Sequence, residues 1–537
     1  MLKDKIAARI PTVRVEEGAA LPTFVAEPGD YRALARLLRD DAETPFDYLV
    51  CLTGVDRGDT LGVVLLLEST GSGQRVFVQT GVAERERPVL PTVSDLWETA
   101  NLNEREVYDY LGIRFAGHPD MRRLFLRNDW VGYPLRKDYK IDGAVNPVPL
   151  ESDESPDVTT VYREDGSEET RALFDETDYV VNIGPQHPAT HGVLRFRTAL
   201  EGEIVKKVDV HCGYIHRGIE KMSESLAYPQ ILALTDRLDY LAAHQHRHAL
   251  CLCLEEALQL EVPERVKYIR TIMDELNRLS SHLLFWSTLC MDLGALTAFF
   301  YGFRDREKVL DILEETTGGR LIQHYNVIGG VSADIHPNFT RRIKEFIRYL
   351  PPMLKEYDRV FTGNVIAQER MKGVGVLSRE DAISFGVTGP SGRASGWACD
   401  VRKRRPYGVY DRVDFDEILF TEGDSFHRYL VRLKEIEESL HILEQLVDNI
   451  PPGEFAVKTK PVIKLPEGRF FKSVEGSRGE FGVYIESRGE KTPYRLKFRS
   501  TSFPLVSVVP HLARGSKIAD LIAIGGTLDY IVPDIDR

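Results

Sequence analysis

Two histidines stand in the stretch Asn182–Arg195, NIGPQHPATHGVLR, with His187 directly before Pro188 and His191 directly before Gly192. Imidazoles titrate near neutral pH, so such a pair has the chemistry of proton donors and acceptors. Gly184 and Pro185 end the strand-like run Tyr179–Ile183, because glycine tolerates unusual backbone angles and proline has no N–H for a ladder. Val193–Leu200 resumes a strand, which puts both rings on a tight loop between two strands. On residue types alone the plainer reading is preferred, that of histidines capping backbone groups of the turn.

A second constellation lies in Ile231–Glu255, where Leu234, Leu238, Leu241 and Leu252 recur at helical spacing. On one helix, Arg237, Tyr240, His244 and His248 share a face or its edge. Histidines four residues apart can bind zinc. No third ligand is evident, and no HExxH glutamate is present, so a core or interface role is preferred for His244 and His248. Gly373-Val374-Gly375 lacks the rest of a phosphate or dinucleotide fingerprint, which excludes nucleotide binding. The six cysteines, Cys51, Cys212, Cys251, Cys253, Cys290 and Cys399, form no CxxC pair. No disulfide framework is expected, and no iron–sulfur or zinc site held by this chain alone.

The elements that position these residues come in two sets. A chain of 537 residues exceeds what one core normally supports. Up to about residue 140 the pattern is α+β: a short helix at Tyr31–Arg39, then β-rich runs at Phe46–Thr53, Leu61–Leu67 and Arg75–Val82. Helices carrying Trp97 and then Glu104–Asp109 follow, the second ending at Gly112. From about residue 177 a hairpin, Val193–Leu200 with Ile204–Val210, precedes long helical patterns. The expected helices include Glu307–Thr316, Arg341–Val360 and Phe426–Asn449, with strands at Phe481–Ile485 and Tyr494–Phe498. The fold class is α+β: a small α+β domain, then a larger, mainly helical one with small sheets. Between them, Glu151–Asp178 carries eleven acidic residues against Arg163 and Arg171. Such a segment buries too little to offset its ordering entropy, so 141–176 reads as a tether. The boundaries are thus 1–140, 141–176 and 177–537.

With 69 basic and 82 acidic residues the net charge is −13, which disfavours a nucleic-acid surface. No apolar run approaches the ~18 residues that span a bilayer, and the N-terminus lacks a signal-peptide core. Trp97, Tyr108, Tyr110, Trp130, Tyr133 and Tyr139 interleave with arginines, an interface composition.

The N-terminal part resembles the thirty-kilodalton-type (C) component of NADH:quinone oxidoreductase (respiratory complex I). The matching residues are Glu104-Arg105-Glu106, Asp109, Gly112-Ile113, Gly117–Asp120, Arg122-Arg123 and Pro134–Asp138. From about Asp178 onward the chain resembles the forty-nine-kilodalton-type (D) component of the same enzyme. Gly184–Arg195, Gly213–Lys221, Asp236–Tyr240, Asp292–Ala295, Gly329-Gly330-Val331, Arg393–Gly396, Asp400–Lys403 and the final Asp536-Arg537 carry that resemblance. Their order on one chain is similar to the fused C/D form of some bacteria.

The resemblance implies a quinone headgroup site. His191 and Tyr240 match the hydrogen-bond donors to the quinone oxygens, the tyrosine on a helix that follows the loop, and Asp292 matches the carboxylate beside the histidine. Arg217 and Arg237 match arginines next to the terminal iron–sulfur cluster, which the adjoining small subunit holds. The implied partners are that subunit, a membrane subunit at the quinone entrance and the other complex I subunits, which carry FMN and iron–sulfur clusters. No cofactor is implied for this chain itself, and quinone is its substrate. The implied place is peripheral, on the cytoplasmic side of the bacterial inner membrane, with electron transfer coupled to proton pumping. Many members carry a histidine two residues after the arginine matching Arg320; here Ile322 stands there, with His324 two residues on. The forty-nine-kilodalton-type family is also similar to nickel–iron hydrogenase large subunits, which implies a hydrogenase-like fold. The stretches matching the two nickel-binding CxxC motifs, Arg237–Ala242 and Leu528–Pro533, hold no cysteine.

Overall fold

The β-rich runs of the N-terminal part pair into one sheet in the computed structural model, which describes residues 2–16, 21–140, 145–146, 157–163 and 165–537. Its strands are β1 (Arg14–Glu16), β2 (Thr23–Val25), β3 (Tyr48–Asp56), β4 (Leu61–Glu68) and β5 (Arg75–Val82), in spatial order β1-β2-β5-β4-β3. Within this sheet only β2 and β5 run parallel. Helix α1 (Pro28–Arg39) starts with proline in its first turn and Asp30 close by, and ends with Arg36 and Arg39, the charge order its dipole favours. Its Tyr31, Leu34, Ala35 and Leu38 are buried at the spacing of one helical face.

All nine residues of β3 are buried, because the strand is covered on both faces. On one side lies α2 (Thr99–Leu111). Gly54 permits that approach: a Cβ there would stand 2.4 Å from Leu111 Cδ1 and 2.9 Å from Val107 Cγ1. Trp97 lies in the turn before α2 rather than on a helix of its own, and α2 stops at Gly112 in a left-handed conformation.

The acidic stretch expected as a tether is partly folded. Its strands β6 (Val158–Tyr162) and β7 (Glu168–Ala172) form a hairpin. Gly117 donates its N–H to the Tyr162 carbonyl at 2.8 Å, and Met121 to the Thr160 carbonyl at 3.1 Å. Val161 and Leu173 bury while most of the described carboxylates stay outside, so few apolar groups suffice. The rest of 141–156 is outside the described residues, except 145–146.

A second sheet, β8 (Tyr179–Ile183), β9 (Arg195–Glu201) and β10 (Ile204–His211), is antiparallel throughout. The helices α3 (Tyr228–Thr235), α4 (Ala243–Ala257), α5 (Glu264–Asp292), α6 (Leu296–Thr317), α7 (Phe339–Tyr357) and α8 (Ser425–Leu446) follow. At 29 residues α5 is roughly 44 Å long. It packs against α6 and α8 and has few exposed residues. The third sheet, β11 (Gly468–Gly476), β12 (Gly479–Ser487) and β13 (Arg495–Arg499), is again antiparallel. Two helices close the chain, α9 (Ile518–Leu528) and α10 (Val532–Asp536). Among the described residues no helix is long and apolar enough to cross a membrane.

Strand β13 joins the two parts. Its alternate residues point the same way. Arg495 Nε donates to the Gly54 carbonyl at 3.0 Å and Arg499 Nη2 to the Tyr48 hydroxyl at 3.0 Å, while Lys497 pairs with Glu106 of α2. Arg495 and Lys497 also meet Glu220, and Arg537 reaches Glu106 at 2.9 Å. All of these charged side chains are buried.

Candidate functional site

The histidine loop of β8–β9 separates its two rings. Pro188–Thr190 forms one 3-10 turn. His187 Nδ1 accepts the Ala189 N–H at 3.2 Å, so this ring caps the turn. His191 ends the turn with a left-handed backbone, φ 51°, and its Nε2 lies 2.7 Å from Asp292 Oδ2. Asp292 is the last residue of α5, and its carboxylate is nearly buried. Burial alone would lower the His191 pKa. The hydrogen bond and the charge of Asp292 outweigh it, and the imidazole is held above its ordinary value. A doubly protonated ring keeps a second N–H, on Nδ1, to give.

The helix expected over 231–255 is two helices. Between α3 and α4, Asp239 Oδ1 accepts the N–H of Leu241 at 3.0 Å and of Ala242 at 3.2 Å. An aspartate side chain offers the backbone an alternative to helical carbonyls, and here it breaks the helix. Arg237 and Tyr240 therefore stand in the break and share no helix face with His244 and His248. Tyr240 is 37% exposed. Burial and then the charge of Asp239 raise its pKa, so the phenol stays protonated and able to donate.

One arginine holds this break against the C-terminal segment. Arg478 Nη1 donates to Asp239 Oδ2 at 2.9 Å and to Ser281 Oγ at 3.0 Å; its Nη2 donates to Asp529 Oδ1 at 3.1 Å. The charges of Arg478 and Asp529 act on both His191 and Tyr240, so one buried ion pair biases both rings. Arg306 adds its charge beside Tyr240. The triplet Leu238-Asp239-Tyr240 returns as Leu528-Asp529-Tyr530, and the middle residue of each binds Arg478. Sequence reasoning did not single out Asp239, Asp529 or Arg478; the repeated triplet is the signal that points to the first two. The Tyr530 hydroxyl is buried without a hydrogen-bond partner among the described residues.

His244 and His248 face one carboxylate: both Nδ1 atoms meet Asp274, at 2.8 and 2.7 Å. Both are buried in the core. His324 pairs with Asp236 at 2.7 Å. Arg217, exposed just before Ile219, and Arg237 are brought within electrostatic reach of each other. Burial and the charge of Arg237 hold the Arg217 guanidinium below its ordinary value. Arg237 Nη1 donates to the Ala233 carbonyl at 2.7 Å, and Arg217 has no carboxylate partner among the described residues. The six cysteines are buried single thiols; burial pushes Cys51 up to about 11 and Cys251 and Cys253 to about 12. Among the described residues no group of three or more His, Cys, Asp or Glu is arranged to hold a metal ion.

Two protein families match the chain in the order expected. Residues 24–145 match the respiratory-chain NADH dehydrogenase 30 Kd subunit, and residues 292–463 and 458–537 match the 49 Kd subunit. A fused C/D protein of NADH-quinone oxidoreductase from Phocaeicola vulgatus is 69% identical over 497 residues, covering 91% of this chain and 95% of that protein. The chain belongs to the fused C/D family of NADH-quinone oxidoreductase. A C/D protein of Nitrosospira multiformis is 35% identical over 97% of this chain and 92% of its own. A separate D protein of the enzyme from Bacillus mycoides is 44% identical over 67% of this chain and 98% of its own. The chain is therefore a subunit of the NADH-quinone oxidoreductase, complex I, of the respiratory chain, and the other complex I subunits are its partners. Asp292 opens the segment matched to the 49 Kd subunit; His191, Arg217, Arg237 and Tyr240 precede it.

Proposed function

We propose that His191, Tyr240 and Asp292 form the quinone headgroup site of this NADH-quinone oxidoreductase subunit. Reducing a quinone turns both carbonyl oxygens into hydroxyls, which takes two electrons and two protons. A donor is needed at each oxygen. The observation that carries the reading is the His191–Asp292 bond at 2.7 Å, which keeps a proton on the imidazole. Tyr240 supplies the second donor, a phenol that burial and the charge of Asp239 keep protonated. Met291 and Leu296, exposed apolar residues on either side of Asp292 in the chain, suit an apolar ring.

Arg217 and Arg237 lie beside the terminal iron–sulfur cluster of the small partner subunit. Two guanidiniums within electrostatic reach of each other, with no carboxylate on Arg217 among the described residues, fit an anionic group brought by a partner. The cluster supplies electrons that reach it from NADH through the FMN and clusters of other subunits. The arginines of this chain orient toward it and raise its potential. Residues 1–140 act as the docking unit, 141–176 connect, and 177–537 carry the site in a hydrogenase-like arrangement. The protein lies peripherally on the cytoplasmic side of the bacterial inner membrane. There it meets the membrane subunit at the quinone entrance and couples quinone reduction to proton pumping.

Tyr240→Phe in the assembled complex tests the reading, because it removes one hydroxyl and little volume. Quinone reductase activity falls at least tenfold or the apparent KM rises, by about the 1.4 kcal/mol of one hydrogen bond, while electron transfer to an artificial upstream acceptor persists. Unchanged quinone kinetics would remove Tyr240 from the site.

A further inference from the structure

The segment between His211 and Gly218 has no regular structure, so its N–H groups need partners from elsewhere. Asp536 provides two of them, while the His216 N–H turns back to the Gly213 carbonyl at 3.0 Å. Asp536 Oδ1 accepts the Gly213 N–H at 2.8 Å and its Oδ2 the Ile215 N–H at 3.0 Å; its backbone oxygen lies 2.6 Å from His216 Nδ1. The His216 ring is stacked on two rings of the N-terminal part. Tyr110 lies at 5.5 Å between centroids with 25° between planes, and Phe125 at 5.5 Å with 15°. Gly213 is pressed against the same partner: with φ 101°, a Cβ there would stand 2.4 Å from the Phe125 carbonyl oxygen. The segment is thus gripped from both sides, by the N-terminal part and by the last residues of the sequence.

The two grips are linked through one helix. Glu106 and Tyr110 are one turn apart on α2 and so share a face. Glu106 takes Arg537 at 2.9 Å, while Tyr110 takes His216. The residue next to His216 is Arg217, which is exposed and has no carboxylate to fix it among the described residues. A long side chain held only by its own backbone acts from wherever that backbone stands, and its field falls with distance.

We propose that Tyr110, Phe125 and Asp536 are positioning residues for Arg217, so that the N-terminal part sets the charge that the partner's terminal cluster feels. This rests on the reading of Arg217 given above. It assigns the N-terminal part a share in the electron-transfer step and not docking alone.

The test is a redox titration of the terminal cluster in the assembled complex, with its electron paramagnetic resonance signature, for Arg217→Gln, Tyr110→Leu, Asp536→Asn and Tyr110→Phe. Arg217→Gln lowers the midpoint potential, because a cation is lost. Tyr110→Leu and Asp536→Asn shift it in the same direction by a smaller amount. Tyr110→Phe keeps the stacked ring and restores the parent value. If Arg217→Gln shifts the potential and neither Tyr110→Leu nor Asp536→Asn does, the positioning role is wrong and the reading of Arg217 stands. If Arg217→Gln leaves the potential unchanged, that reading fails and the proposal with it. Should Tyr110→Leu not assemble, Asp536→Asn decides, since it is nearly isosteric.

Discussion

His191 and Asp292 are 101 residues apart in sequence and 2.7 Å apart in the fold. The bond joins a loop of a small sheet to the end of the longest helix. Neither residue could be held this way by its own element: a left-handed loop residue has few local partners, and a helix-terminal carboxylate points out of its helix. The pair therefore exists only once the sheet β8–β9–β10 has docked on α5, which ties the proposed quinone chemistry to complete folding.

Asp292→Asn keeps the size of the carboxylate and removes its charge. The imidazole then loses the partner that offsets burial, and its pKa falls. The alkaline limb of the quinone-reduction pH profile moves to lower pH, and turnover at neutral pH drops about a hundredfold. Stability follows the same sign. A histidine with a raised folded pKa adds stability that is full below its unfolded value of 6.5 and is lost as pH rises through the folded value. Denaturant unfolding of parent and variant chains should thus differ most on the acid side. A profile with its limb unmoved would put the titrating proton on another group.

Asp239 has two duties that substitution can separate. Asp239→Asn retains an oxygen for the Leu241 and Ala242 N–H groups but weakens the bond to Arg478. Asp239→Ala loses both and leaves a buried guanidinium with Asp529 as its one close carboxylate, at about 3 kcal/mol. Denaturation midpoints should rank parent, Asn variant, Ala variant, in that order. Equal midpoints for Asn and Ala would show that the turn itself contributes nothing.

This residue also marks where sequence reasoning stops. Leucines at helical spacing through 231–255 read as one helix, and both helices are there. The break was not legible, because Asp239 ends the helix with its side chain, and a lone aspartate inside an apolar pattern is commonplace. Strands β3, β4, β5, β12 and β13 and the stop at Gly112 were readable from alternation, β-branched runs and a glycine after a helix. Strand β11 was not, since its Arg469 and Lys472 look like a solvated surface until Glu16 and Glu256 arrive to pair with them. At the site, His191 and Asp292 came from family resemblance, and their contact needed the fold. Arg478 had no local signature at all: its partners are more than fifty residues away.

The junction between the two parts can be tested at Glu106. Its carboxylate lies between Lys497 and Arg537, with all three buried. Glu106→Gln leaves two buried cations short of charge and destabilises the chain by about 3 kcal/mol. Combining it with Lys497→Met recovers part of that loss, because an apolar chain of similar length needs no partner. Thermal midpoints of the single and double variants check both statements. A Glu106→Gln midpoint equal to the parent's would show that this cluster adds no net stability.

Glu106 lies on one side of the junction, and Arg495, Lys497 and Arg537 on the other, with Glu220. Made as separate polypeptides, the larger half would wait with a surplus of cations on an apolar face. Such a face attracts any anionic stranger in the cell. Here both halves leave the ribosome on one chain, at an effective concentration on the order of millimolar, whatever the expression level. Their meeting is a first-order event, and the ratio of one to one is fixed by translation.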